Sequence, residues 1–103
     1  MLSPICSISR VARRLKISVR TIRAYEAEGF INIERISGRC YLRPEDVEVL
    51  ALIKRLKNDL GVNLASVGII LEMRRTILDL QEQLARLQEK IKEPGLTNRN
   101  NGD

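Results

Sequence analysis

A chain of 103 residues with 44% apolar content has the length of one small domain with an appendage, too short for two independent domains. With Tyr25, Phe30 and Tyr41 as its only aromatics and no histidine, it has a modest aliphatic core that invites a partner chain, and no imidazole for acid–base or zinc chemistry. Its +5 charge sits in the first half: residues 1–43 carry nine Lys/Arg against three Glu, and residues 44–103 nine bases against ten acids, an asymmetry that points to a polyanion such as nucleic acid.

The opening stretch MLSPICSISR lacks the basic start and long apolar run of a secretory signal. Cys6 and Cys40 have no CxxC spacing, so no disulfide framework and no metal or other cofactor site is expected, and a reducing cytoplasm fits. Ile8, Val11, Ala12 and Leu15 recur at helical spacing, which predicts a first helix with Ser9 as its cap. After the short break Lys16-Ile17-Ser18, Ser18 caps a second helix running from Val19 to about Glu28, and Gly29 sits where a left-handed residue is wanted. Two short helices around a tight turn form a helix-turn-helix. On the second helix Arg20, Arg23, Ala24 and Ala27 fall on one stripe, Val19 and Ile22 fall on the core side, and Tyr25 lies between. Forked cations on a narrow, small-residue face suit a major groove, where Arg reads guanine edges and grips phosphate.

FINIERISGRCYL predicts two strands, 31–36 and 39–42, around a Ser37-Gly38 turn. A two-residue loop pairs Ile36 with Arg39, Arg35 with Cys40 and Ile33 with Leu42. Ile31, Ile33, Cys40 and Leu42 then face inward, while Arg39 and Tyr41 face outward. Cys40 reads as a small core residue, and the hairpin as a wing suited to phosphate contact. Pro44, Glu45 and Asp46 start a third helix, about 44–57, burying Val47, Leu50 and Ala51 with Ile53 or Leu56. NDLGVN interrupts it, and a fourth helix begins at Asn63 or Leu64; Gly68 within it marks a close contact with another element.

Ile70, Met73, Ile77, Leu80, Leu84, Leu87 and Ile91 follow at alternating spacings of three and four, the a/d seam of a coiled coil. From Ile77 to Ile91 this seam is roughly 22 Å long, more than so small a head can cover, so a homodimer is expected. Residues 94–103 are polar and aperiodic, the signature of a disordered tail. No apolar run has membrane-spanning length, the longest being VGIIL at 67–71.

The string SISRVARRLKISVRTIRAYEAEGFI, followed by RISGRCY and PEDVEVL, resembles the winged helix-turn-helix head of the MerR family of transcriptional regulators. The likeness runs without a gap through LGVNLASVGIIL and covers roughly residues 5–75; the coiled-coil helix extends it to about 91. TIR-x-YE-x-EGFI is its specific part, and GVNLASVGIILEM resembles the heat-shock repressor (HspR-type) branch. The resemblance implies a mainly α fold: a winged helix-turn-helix head of four helices and a β-hairpin wing over 1–72, a dimerisation helix over 73–93 and a tail over 94–103. It implies that Arg20 and Thr21 meet base edges or adjacent phosphates, that Arg23 and Tyr25 serve the DNA backbone and local packing, and that Arg39 and Tyr41 act from the wing. Lys57 lies near a second wing, and Arg13 and Ser18 complete the expected DNA-binding set. Met73, Ile77, Leu80, Leu84, Leu87 and Ile91 pair antiparallel with their twins.

Two departures stand out. Ala24 replaces a tyrosine common in the family, removing one backbone contact. No effector-binding domain follows the coiled coil, and no cysteine opens the dimerisation helix, so a metal or drug switch is not expected. Control would then come through a protein partner, temperature or protein level, and the heat-shock branch admits a DnaK-type chaperone as co-repressor. The expected function is a bacterial, cytoplasmic, nucleoid-associated repressor, a homodimer on an inverted-repeat operator in double-stranded DNA, with no membrane partner. The alternatives are an excisionase-like architectural factor that bends DNA and a coiled-coil interaction module. Catalysis is not expected, since no nucleophile–base pair and no glycine-rich phosphate loop is present.

Overall fold

The computed structural model describes residues 5–92; Pro94, Gly95 and the expected tail lie outside the described residues. The elements are strand β1 (Cys6–Ser7), helices α1 (Ile8–Leu15) and α2 (Val19–Ala27), strands β2 (Glu34–Ile36) and β3 (Arg39–Leu42), and helix α3 (Pro44–Lys54). A π-helical turn, Arg55–Asp59, prolongs α3, and helix α4 (Leu64–Ile91) follows. The fold is the mainly helical winged helix-turn-helix that the sequence suggests.

Helix α1 starts two residues before the position its sequence indicates. Ser7, not Ser9, is the cap: its backbone is extended and its hydroxyl accepts the Arg10 amide at 3.3 Å. The reason is β1, which the reading of the hairpin did not anticipate. Ser7 pairs with Tyr41 as a strand residue and the chain turns directly into the helix, leaving Ser9 inside it. Helix α1 ends at Leu15 and is capped by Lys16, which takes the left-handed conformation at φ 59°. Helix α2 ends as expected before Gly29, at φ +85°, with the Phe30 amide bonded to the Tyr25 carbonyl at 3.0 Å.

The antiparallel sheet has the order β1-β3-β2. Ile36 pairs with Arg39 and Arg35 with Cys40 around Ser37 and Gly38, whose φ values of 51° and 77° meet the demand of a type I′ turn. The first wing strand starts at Glu34, not at residue 31, and the expected Ile33–Leu42 pair does not form. The Ile33 amide instead donates to a carboxylate on α2, Glu26 Oε2, at 3.1 Å. Ile31 and Ile33 are buried all the same, beside Leu42 and Ile22, in the first core cluster. Cys40 and Cys6 are half-buried free thiols against that cluster.

In the first turn of α3 the Asp46 carboxylate accepts the Asn32 amide at 3.4 Å, tying the loop before the wing to this helix. Its regular hydrogen bonding stops at Lys54, three residues short of the expected end. The Leu60 amide then reaches back five residues to the Arg55 carbonyl at 3.2 Å, and the Val62 amide reaches the Leu56 carbonyl at 2.8 Å. This widened turn keeps Leu56 in a second cluster with Ile53 and Val67, so both Ile53 and Leu56 are buried. Asn63 caps α4, its Oδ1 accepting the Ser66 amide at 2.8 Å. The neighbour of Gly68 is Phe30: a methyl group there would sit 3.5 Å from the ring, at ordinary contact distance.

The chain divides into two compact units, Met1–Leu71 and Glu72–Asp103. In the first, Val67 is buried and Ile70 half-buried against the second cluster. In the second, Ile77, Leu80, Leu84, Leu87, Ile91 and Met73 are each between 53% and 57% exposed. The fourth helix and the long seam-bearing helix are one element.

Candidate nucleic-acid interface

The helix-turn-helix is closed by four hydrogen bonds. Ser18 is extended at the N-terminus of α2; its hydroxyl accepts the Thr21 amide at 3.0 Å and donates to Thr21 Oγ1 at 2.9 Å. The Ile17 amide bonds to the Ala12 carbonyl at 3.0 Å. From α3, the Lys54 ammonium donates to the Leu15 carbonyl, a cation placed at the C-terminal end of α1 where the helix dipole favours it. The turn between the helices is thereby fixed from both sides.

On α2 the division of faces is the one expected. Ile22 is fully buried and Val19 half-buried, while Arg20, Arg23, Ala24 and Ala27 are exposed. Among the described residues neither Arg20 nor Arg23 forms a hydrogen bond or salt bridge, so both guanidiniums keep all their donors. Tyr25 is half-buried between both core clusters, its ring 6.1 Å from that of Phe30, and burial pushes its hydroxyl pKa up. Arg13 is exposed in the last turn of α1, and Ser18 is exposed but engaged as a cap. Thr21 is half-buried.

On the wing, Arg39 is exposed beside the turn. Tyr41 is only half-buried rather than open, because β1 makes β3 the central strand and flanks Tyr41 with Ser7 on one side and Glu34 on the other. Lys57 is exposed in the π-helical turn, not at the end of a regular helix.

Two residues outside the expected set join the helix to the wing. Arg35 of β2 grips the Glu26 carboxylate with both ends of its fork, Nη2 to Oε1 at 3.0 Å and Nη1 to Oε2 at 3.2 Å. The Arg35 hydrogen bonds, assisted by the Ile33 amide and the charges of Arg35 and Arg23, hold the Glu26 carboxyl below its usual range against the opposing effect of burial. No periodic signal marks this pair in the sequence, and since the Arg35 side chain stays 54% exposed, burial does not demand a carboxylate beside it. Farther along, Arg43 pairs with Glu34 at 3.3 Å.

Among the described residues no group of three or more His, Cys, Asp or Glu is placed to hold a metal ion, and no helix is long and apolar enough to cross a membrane.

Residues 6–74 match the MerR HTH family of regulatory proteins. A Streptomyces coelicolor protein described as the heat shock protein HspR is 30% identical over 86 residues, which is 82% of this chain and 57% of that protein, so the chain spans little more than half its length. Among solved structures, HiNmlR, a MerR family regulator lacking the sensor domain and bound to promoter DNA, superposes with a TM-score of 0.61 at 26% identity. That match covers 86% of this chain and 69% of HiNmlR. The chain belongs to the MerR HTH family, and its fold is that of a DNA-binding transcription regulator.

Proposed function

We propose that the protein is a homodimeric repressor of the heat-shock type that binds an inverted repeat in double-stranded DNA. The observation that carries this reading is the exposed, unpaired Arg20 and Arg23 stripe on the second helix of a helix-turn-helix. In it, Arg20 and Thr21 read base edges or grip adjacent phosphates, and Arg23 and Arg39 hold phosphates with help from Arg13, Tyr41 and Lys57. Ser18 and Tyr25 set the angle of α2. Residues 1–72 form the reading head and 73–93 the dimerisation helix, with Met73, Ile77, Leu80, Leu84, Leu87 and Ile91 buried against a second copy.

HiNmlR, bound to promoter DNA without a sensor domain, supports the reading that a head and a helix suffice for binding. The heat-shock name of the Streptomyces coelicolor relative supports the stress-response role and makes a DnaK-type chaperone the co-repressor to try first. In this reading the protein works in the bacterial cytoplasm on nucleoid DNA.

The test is selection of bound sequences from a random duplex pool at near-physiological salt. An inverted repeat with fixed half-site spacing is expected. Enrichment of bent or flexible sequence without a repeat would favour an architectural factor. No enrichment, with or without added chaperone, would favour an interaction module.

A further inference from the structure

Glu26 is badly placed for a helix that meets a polyanion. Three residues after Arg23, a carboxylate would ordinarily pair with that arginine and repel a nearby phosphate. Among the described residues Arg23 acts on Glu26 through its charge alone, with no hydrogen bond or salt bridge between them. Both Glu26 oxygens are taken by the Arg35 fork, at 3.0 and 3.2 Å, and Oε2 also accepts the Ile33 amide at 3.1 Å. Arg35 Nη1 in turn donates to the Ile33 carbonyl at 3.1 Å. The result is a closed ring of hydrogen bonds from the C-terminal half of α2 to the root of the wing. Arg35 is one rung of the ladder away from the Ile36–Arg39 pair, the one that carries the exposed wing cation.

We propose that Glu26 and Arg35 are positioning residues for DNA binding: their clasp sets the wing on the recognition helix so that Arg39 and Arg23 reach one duplex together, and it occupies the carboxylate that would otherwise capture Arg23. The proposal rests on the DNA-binding reading above. A two-point fork fixes orientation as well as distance, which a single ammonium contact does not. Residues 31–33 are not paired as a strand, so the clasp supplies the connection that a longer ladder would have provided.

The sign of one substitution separates positioning from plain electrostatics. Removing a negative charge near DNA tightens binding if charge alone matters; removing a positioning contact weakens it. The experiment measures operator affinity of the full chain for the parent, Glu26→Gln, Arg35→Met and Arg35→Lys, each also in an Arg39→Ala background, with thermal unfolding to establish that each variant folds. Glu26→Gln and Arg35→Met should each weaken binding by about tenfold, Arg35→Lys should recover part of the loss, and the Glu26→Gln penalty should shrink to less than about twofold once Arg39 is gone. Tighter or unchanged binding by Glu26→Gln, or a penalty of the same size without Arg39, would overturn the clasp. A parent protein that selects no operator would overturn the DNA-binding reading and the clasp with it, whereas a parent that selects one while the variants bind it equally well would overturn the clasp alone.

Discussion

Arg20 and Arg23 share an exposed stripe and, among the described residues, form no hydrogen bond or salt bridge, yet they have different tasks in the proposed complex. Arg20, in the first turn of α2, is the proposed base reader. Arg20→Ala should relax preference at one position per half-site, at a cost of about 1–3 kcal/mol there. Arg23→Ala should weaken binding to all sequences alike and make the salt dependence shallower by about one unit of slope. Titration against the selected operator and its single-base variants distinguishes the two, and a uniform loss for Arg20→Ala would end its role as reader. Glu26 carries a pH signature of its own. Its carboxyl is held low, chiefly by Arg35, so its contribution to stability is complete above the ordinary carboxylate range and is lost as pH falls through the depressed value. Asp46 works in the opposite sense: burial raises its pKa, so its contribution is present at low pH and lost as pH rises through the raised value. The difference in thermal midpoint between the parent and Glu26→Gln isolates the first group. It should be widest at neutral pH and close as the solution is acidified below the carboxylate range; a difference constant with pH would mean that Glu26 acts through shape alone.

At the scale of elements, the Ser18 cap is the contact on which the recognition helix depends. It satisfies the Thr21 amide and engages the Thr21 hydroxyl at once. Ser18→Ala should lower unfolding free energy by about 1 kcal/mol, and Ser18→Asp should restore it while adding a negative charge beside the proposed DNA face. Stability regained without operator affinity, read by denaturation and titration in parallel, would separate the cap from any direct contact. This cap was legible in the sequence, as were Gly29 and the Ser37-Gly38 turn, because each rests on a local backbone requirement that few residue types meet. The inward and outward faces of α2 were legible because helical periodicity is dictated by geometry. β1 was not: two residues are too few for an alternating pattern, and they form a strand only because β3 offers a free edge. The shift of the first cap from Ser9 to Ser7 follows from the same missing strand. The Glu26–Arg35 clasp joins residues nine apart across a loop, a distance to which neither helical nor strand periodicity speaks.

At the scale of the molecule, charge and apolar surface are segregated along the chain. The net positive charge lies in residues 1–43, whereas the second unit carries a run of large apolar seam side chains, each more than half exposed. Among the polar neighbours of that run, Glu82 and Arg86 pair at 3.2 Å, with both side chains 67% exposed. Such a pair contributes little to stability, so it does not explain a long helix with an open apolar seam. Burial against a second copy, as proposed, would. Fully burying an exposed Leu or Ile is worth about 1.5–3 kcal/mol; the five from Ile77 to Ile91 are already nearly half covered, so each would gain about half of that, and together on two chains they would offset much of the cost of association. Two identical heads on one paired helix would also match the symmetry of an inverted repeat. Leu84 lies at the middle of this stretch, and Leu84→Asp would place a carboxylate in the proposed apolar seam of both chains, where its desolvation is costly. Sedimentation should show the parent as a dimer and Leu84→Asp as a monomer that keeps its helix-turn-helix, because the core of the head draws no side chain from this part of α4. The monomer should lose the two-headed operator while retaining weak, salt-sensitive binding to single half-sites. A Leu84→Asp protein that still sediments as a dimer would place the interface elsewhere and detach half-site spacing from the coiled coil.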